Sequence, residues 1–342
     1  MNVLFIHANN STLLFDSAKD SEEQSNDYLT DSLFLEIKSR SNFNVYECPA
    51  MLHMYMDCEV DKRKLTGLGF GLRKKITSDK LVLSFEDTIL KIRNKFFDLI
   101  FTDSRTMNEW WKNRGLSPFF EYADVLSTEF LKVYPKEKII ILDGEDQPNS
   151  ILPKFYNRSL YFKRELVDTD INLLPIGYCF PKELFKKVNF LTEKKKNIAT
   201  VIPSNKQTYI FSNEDEYYED YRTSLFGLTW KKLGWDCFRH YEIIFSSCLP
   251  VFPDIDDCPQ NTLTRFPKDI CKKILKLDCL KSSNHSKRHI AHDLYCFDNI
   301  TVENDKINLI HYKELLDEII QFAFENNTSE KTLDYILNYT KI

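Results

Sequence analysis

Short apolar runs alternate with amphipathic stretches along the first half of the chain, and no other feature limits the possible folds as strongly. Lys138–Leu142 (KIIIL) is the clearest buried strand, ending on Asp143-Gly144-Glu145-Asp146. Asn2–Ile6, Phe43–Cys48, Asp98–Thr102, Ser159–Arg164 and Asn172–Ile176 read as further extended segments. Tyr28–Lys38, Phe85–Phe97, Met107–Arg114 and Tyr122–Tyr134 carry helical spacing. Alternation of this kind predicts a doubly wound α/β sheet with helices on both faces. In such sheets ligands gather at the carboxyl ends of the strands. Chemistry is therefore expected in the loops at His7, Asp103 and Asp143, although Asp103-Ser104 reads better as a turn or helix cap.

With 342 residues, 43% of them hydrophobic, the chain has room for two ordinary domains or one large one. A net charge of -5 argues against a general nucleic-acid binder. The nine cysteines show no C-x-x-C spacing and read as reduced, buried side chains of a cytoplasmic protein. MNVLFIHANN lacks a basic leader and reads as a first strand, not a signal peptide. No apolar run is long enough to cross a bilayer, so any membrane contact is expected to be peripheral.

In the second half, Pro181–Lys196 is predicted to be a helix running into a solvated basic linker, Glu193–Lys196. Asn197–Ile202 then opens a second sheet, followed by a loop at Pro203–Thr208. Phe238, Tyr241, Ile244, Phe245 and Cys248 mark one helical face, and Leu249–Phe252 reads as a buried strand. Arg239 and Glu242, three apart, share a side of that helix. Such a pair suits a phosphate and two sugar hydroxyls, and it also suits a plain surface ion pair. The helix ends of the chain are expected at Lys268–Leu277, Tyr312–Glu325 and Lys331–Tyr339, with Leu294–Val302 extended. Gly67, Gly69 and Gly71 read as a flexible loop. Asp254-Ile255-Asp256 reads as an acidic surface turn, and His285, His289 and His292 as a solvated segment.

WDCFRHYEIIFSSCLPVFPDI resembles the nucleotide-sugar-binding segment of exostosin-like glycosyltransferases of the GT-B fold, in particular their uncharacterised microbial and viral branch. The similarity extends over Pro203–Lys268. Before that it is confined to HMY (His53–Tyr55), GLGF (Gly67–Phe70) and LDGED (Leu142–Asp146). The resemblance implies two Rossmann-like domains facing each other across a cleft, with a C-terminal helix crossing back. The domains would be residues 1–180 on the acceptor side, a linker at 181–196, a nucleotide-sugar-binding domain at 197–311, and returning helices at 312–342.

By the same resemblance the protein is a glycosyltransferase moving a hexose or pentose from a nucleotide sugar to a glycan or glycoconjugate. Arg239 and Lys206 would clamp the diphosphate, and Glu242 would hold the ribose. Thr208 and His240 would line the donor site, His240 alternatively packing inward, and Tyr209, Tyr217, Tyr218 and Tyr221 would either stack on the base or serve as core or surface filler. Asp143, Glu145 and Asp146 are the candidate catalytic acids of the first domain. No metal or other cofactor is implied. Many retaining relatives carry a second Glu eight residues before the one matching Glu242. Gly234 stands there in this chain, which leans towards inversion. The alternatives are a non-catalytic nucleotide- or carbohydrate-binding protein of the same fold, and a metal-dependent GT-A enzyme using Asp254 and Asp256.

Overall fold

The computed structural model describes residues 1–7, 27–57, 71–77, 80–107, 120–168, 170, 172–186, 193–282 and 300–341. The expectations for 8–26, for Gly67 and Gly69, for the helix beyond Met107 and for His285, His289 and His292 lie outside these residues. The chain divides into two compact units, Met1–Ile176 together with Thr332–Ile342, and Gly177–Lys331.

The first unit is an α/β layer structure built on a seven-stranded, all-parallel sheet. Its strands are β1 (Asn2–Ile6), β2 (Asn44–Glu47), β3 (Leu81–Val82), β4 (Leu99–Asp103), β5 (Ile139–Asp143), β6 (Leu160–Lys163) and β7 (Leu173–Pro175). They lie in the order β3-β2-β1-β4-β5-β6-β7. Helices α1 (Tyr28–Ser39), α2 (Phe85–Arg93) and α3 (Phe120–Val133) flank it. Every residue of β4 and β5 is buried, and apart from Thr102, Asp103 and Asp143 at their carboxyl ends they are apolar, as parallel strands covered on both faces tend to be. Leu4, Ile100, Ile139 and Ile141 join Leu126 and Phe130 of α3 in the core. Asp27 starts α1, its carboxylate accepting hydrogen bonds from the backbone N–H groups of Leu29 and Thr30 at 2.8 and 3.1 Å. The end of the chain belongs to this unit: the Tyr335 hydroxyl donates to the Pro175 carbonyl at 3.1 Å, and the rings of Tyr335 and Tyr339 pack on Phe162.

The second unit holds three parallel strands, β8 (Lys196–Ile198), β9 (Ser224–Leu228) and β10 (Leu249–Val251), with β9 in the middle. Helix α4 (Glu214–Arg222) connects β8 to β9, and α5 (Phe238–Phe245) connects β9 to β10. Helices α6 (Lys268–Leu275) and α7 (Leu309–Asn326) follow, with an antiparallel pair, β11 (Leu280–Ser282) and β12 (Ile300–Val302), between them. Pro250 is tolerated because β10 is an edge strand. Gly227 faces α5 closely: a Cβ there would lie 2.8 Å from Cγ1 of Ile243. α5 stops at Ser247, whose φ of 54° is left-handed. The buried hydroxyl of Tyr312 fastens α7 to β9 by donating to the Leu225 carbonyl at 2.6 Å.

Residues 187–192 of the helix expected at Pro181–Lys196 lie outside the described residues, and the solvated linker at Glu193–Lys196 is corrected at Lys194 and Lys196. The described residues there form a short 3-10 turn at Lys182–Leu184, and Lys196 opens β8. The Nζ of Lys194 donates to the carbonyls of Ser224 and Ser247, at 2.6 Å each, and Lys196 pairs with Asp220. Long lysine stems lie along the unit while their ammonium heads satisfy carbonyl and carboxylate groups. Among the described residues no helix is long and apolar enough to cross a membrane.

The Gly227–Ile243 approach makes a direct prediction. Gly227→Ala forces overpacking and lowers stability by about 1–3 kcal/mol, read as a shift in the urea unfolding curve. Ile243→Ala, which removes the clashing γ carbons, costs less in the Gly227→Ala background than alone. An unchanged midpoint for the single variant would show that α5 has room to move.

Candidate functional site

Helix α5 is buried along all of its residues, Phe238–Phe245. A helix in that setting has little use for charge, yet it carries Arg239 and Glu242. Its apolar side is held by aromatic contacts, with Tyr241 on Phe266 at 5.4 Å between ring centroids and Phe245 on Tyr218 at 5.0 Å. The charged pair faces tyrosines from α4 and from the turn after β8.

Arg239 is only 7% exposed. One Nη2 hydrogen bond goes to the Tyr209 hydroxyl, while Nε and Nη1 are buried with no hydrogen-bond partner. Glu242 is 4% exposed. It accepts hydrogen bonds from the hydroxyls of Tyr217 at 2.7 Å and Tyr218 at 3.5 Å. Burial pushes its carboxyl up to about 7, against the opposing effects of the Tyr217 hydrogen bond and the Arg239 charge. The two groups bond to different tyrosines and not to each other, so the alternative of a surface ion pair is excluded. A guanidinium out of water with most of its donors unused is costly. The planar array of free N–H groups matches a phosphate or a carboxylate. Beside it, a carboxyl poised near neutrality accepts hydroxyl hydrogen bonds.

The other residues expected at the donor site divide into two groups. Tyr209, Tyr217 and Tyr218 contact the charged pair, and Tyr221 backs them, its hydroxyl 3.5 Å from that of Tyr217. Lys206 is exposed on the 3-10 turn Lys206–Thr208 that leads to Tyr209. The Thr208 hydroxyl is engaged locally, accepting from the Ile202 N–H at 3.0 Å and donating to the Asn205 carbonyl at 2.8 Å. His240 is turned inward: Nδ1 lies 2.6 Å from the Thr229 hydroxyl and Nε2 2.9 Å from the Trp235 carbonyl. With both ring nitrogens occupied, it braces the loop between β9 and α5 and does not reach a phosphate.

Of the candidate acids of the first unit, Asp143 and Asp146 are committed to ion pairs, and Glu145 is partly exposed. Asp143 is fully buried, and its Oδ2 receives the Tyr161 hydroxyl at 2.6 Å and lies 3.3 Å from the Lys163 Nζ. Its Oδ1 accepts from the Glu145 backbone N–H at 3.1 Å. Asp146 pairs with Arg164, which also donates to the Gly144 carbonyl and to Glu165. These contacts tie β5 to β6 and the loop between them. Asp103 pairs with Arg105 at 2.6 Å, also in the manner of a turn residue.

The acidic surface turn at Asp254–Asp256 is half corrected. Asp256 is exposed and pairs with Lys272 at 3.1 Å. Asp254 is 3% exposed, accepts from the Lys231 N–H at 3.1 Å, and has an unpartnered Oδ1. Burial raises its carboxyl to about 6. The two carboxylates therefore do not converge, and among the described residues no three His, Cys, Asp or Glu side chains form a metal-binding group. Asp254 at the end of β10 is a polar group that sequence patterning missed, since Asp after a proline-bounded strand looks the same whether buried or solvated. Comparison with protein-family models, curated proteins and solved structures gave no match.

The raised Glu242 carboxyl fixes a pH dependence. Its folded value of about 7 exceeds the unfolded 4.5, so the stability it contributes is full below about 4.5 and is lost as pH rises towards 7. The span is on the order of 3 kcal/mol. Glu242→Gln removes this slope, so the stability difference between variant and wild type changes with pH over that window. A constant difference from pH 4 to 8 would mean that Glu242 titrates normally.

Proposed function

We propose that the protein is a glycosyltransferase of the GT-B type that moves a sugar from a nucleotide-sugar donor to a carbohydrate or glycoconjugate hydroxyl, with inversion and without a bound metal. The observation that carries this reading is the buried Arg239 guanidinium with Nε and Nη1 unpartnered, on the same helix as a buried carboxyl poised near neutrality. A diphosphate answers the first group and a pentose diol the second. The resemblance of Pro203–Lys268 to exostosin-like enzymes supports the same assignment. Donor contacts belong to the unit Gly177–Lys331, and the acceptor belongs to the unit built on the seven-stranded sheet. In the reaction the departing diphosphate gains negative charge, which Arg239 neutralises with help from Lys206. The tyrosines around Glu242 hold the nucleoside, and the site of action is the cytoplasm of the producing cell or of a virus-infected host.

The test is a thermal-shift panel of nucleoside diphosphates and nucleotide sugars, because a ligand of the native state raises its melting temperature. At least one member stabilises the wild type. Arg239→Ala and Glu242→Ala each weaken that ligand by at least about 30-fold, equivalent to about 2 kcal/mol, and a chelator changes nothing. Wild-type affinity in both variants would remove the site, and binding without any sugar release would leave a nucleotide-binding protein.

A further inference from the structure

Helix α5 begins without an answering anion. Its N-cap is Cys237, which makes no capping hydrogen bond, and its first turn carries no acid. Ser, Thr, Asp and Asn are the side chains that cap a helix, so the stability of α5 does not account for a cysteine here. The free N–H groups of a helix start and the helix dipole both favour a negative charge. Two residues on, Arg239 adds a buried guanidinium with Nε and Nη1 unpartnered. Arg239 is held well above its ordinary range. Burial works against its charge, and the Cys237 thiol is the strongest of the groups that favour it, ahead of the Tyr209, Tyr221 and Tyr217 hydroxyls. Asp236, just before Cys237, has its Oδ2 on the Tyr178 backbone N–H at 2.8 Å.

The other described cysteines are placed differently. Cys48, Cys179, Cys248, Cys271 and Cys279 are buried. Burial pushes the Cys48 thiol up to about 11 and that of Cys248 to about 12, which keeps both inert. Cys258 is part-exposed, but its Sγ is engaged with the carbonyls of Pro259 and Thr262 at 3.6 and 3.7 Å. Cys237 is also part-exposed, and its thiol has no hydrogen bond among the described residues. Part-exposed thiols in electropositive surroundings are the ones that react.

We propose that Cys237 is a modification site at which a small disulfide carrying carboxylates, of the glutathione disulfide class, exchanges with the protein and closes the Arg239 site. This rests on the reading of Arg239 as an anion-binding group and adds its regulation. The Cys237 thiolate attacks one sulfur of the disulfide. A new S–S bond forms to Cys237 as the old one breaks. The other half leaves with the electron pair of the broken bond and takes up the proton that Cys237 gave. Cys237 is thereby oxidised and the departing half reduced. The half that stays brings a carboxylate to the planar donors Nε and Nη1 of Arg239. One reagent thus answers both groups, with a sulfur for the thiol and an anion for the guanidinium. The adduct takes the place of the donor diphosphate, and a thiol reductant removes it.

The experiment uses the full chain and follows adducts by peptide mass spectrometry. Anionic glutathione disulfide and cationic cystamine are compared on the wild type, each rate divided by that of the same reagent with free cysteine. The corrected rate at Cys237 is at least about 10-fold higher for glutathione disulfide, and Arg239→Gln removes the preference. The glutathione adduct abolishes the thermal shift given by a panel of UDP, GDP, ADP and CDP, and dithiothreitol restores it. Cys237→Ser keeps the shift throughout the same treatment. No adduct at Cys237, or equal corrected rates for the two reagents on the wild type, would overturn the proposal and leave the nucleotide reading standing. A nucleotide shift that survives full modification would overturn the closure. If no member of the panel shifts the unmodified chain, the nucleotide reading itself fails, and the charge preference at Cys237 still decides whether the thiol site exists.

Discussion

A positive charge out of water without a matching negative charge is the constraint on which the rest of the second unit turns. Arg239 is buried on a helix that has no exposed face, and its hydrogen bond among the described residues is to a neutral phenol. Everything around it accommodates that charge without neutralising it. Three tyrosines on α4 approach from one side, and Glu242, which could have paired with it, is directed to Tyr217 and held near neutrality by burial. Replacing such a group by packed apolar side chains is often neutral or stabilising, so its presence points to a ligand and not to stability.

Much of the scaffold could be read from the chain. KIIIL and DLIFT are short β-rich runs bounded by turn residues, and they are the central β5 and β4, buried end to end. FRHYEIIF followed by a proline-containing apolar run is a helix and an edge strand, as its spacing indicates. The interactions that escaped are those set by register and by helical rotation. Asp143 looked like a free loop acid, but strand pairing places it beside Lys163. His240 adjoins Arg239 in the chain, yet one residue of helix turns it by about 100°, towards Thr229 and Trp235. Asp31 and His53 are far apart in sequence and belong to a helix and a turn, and no periodicity links them. Lys194 and Lys196 read as solvent-facing because charge says nothing about where a long stem reaches.

The two units use the same principle for different tasks. In each, parallel strands deliver loops and helix starts to one edge, and polar groups collect there because the apolar layers leave no other place for them. In the first unit they form a neutral His7, a His53 paired with Asp31, and an Arg105 shared by Asp27 and Asp103. In the second they form an unshared arginine and a carboxyl that titrates near neutrality. The unpartnered nitrogens of that arginine suit an anion.

The most direct measurement is a crystal structure of the full chain soaked with UDP and, separately, with GDP. Phosphate oxygens within hydrogen-bonding distance of Arg239 Nε and Nη1, with ribose hydroxyls on Glu242, are the predicted result. A nucleotide bound elsewhere, with those guanidinium nitrogens still unoccupied, would contradict it.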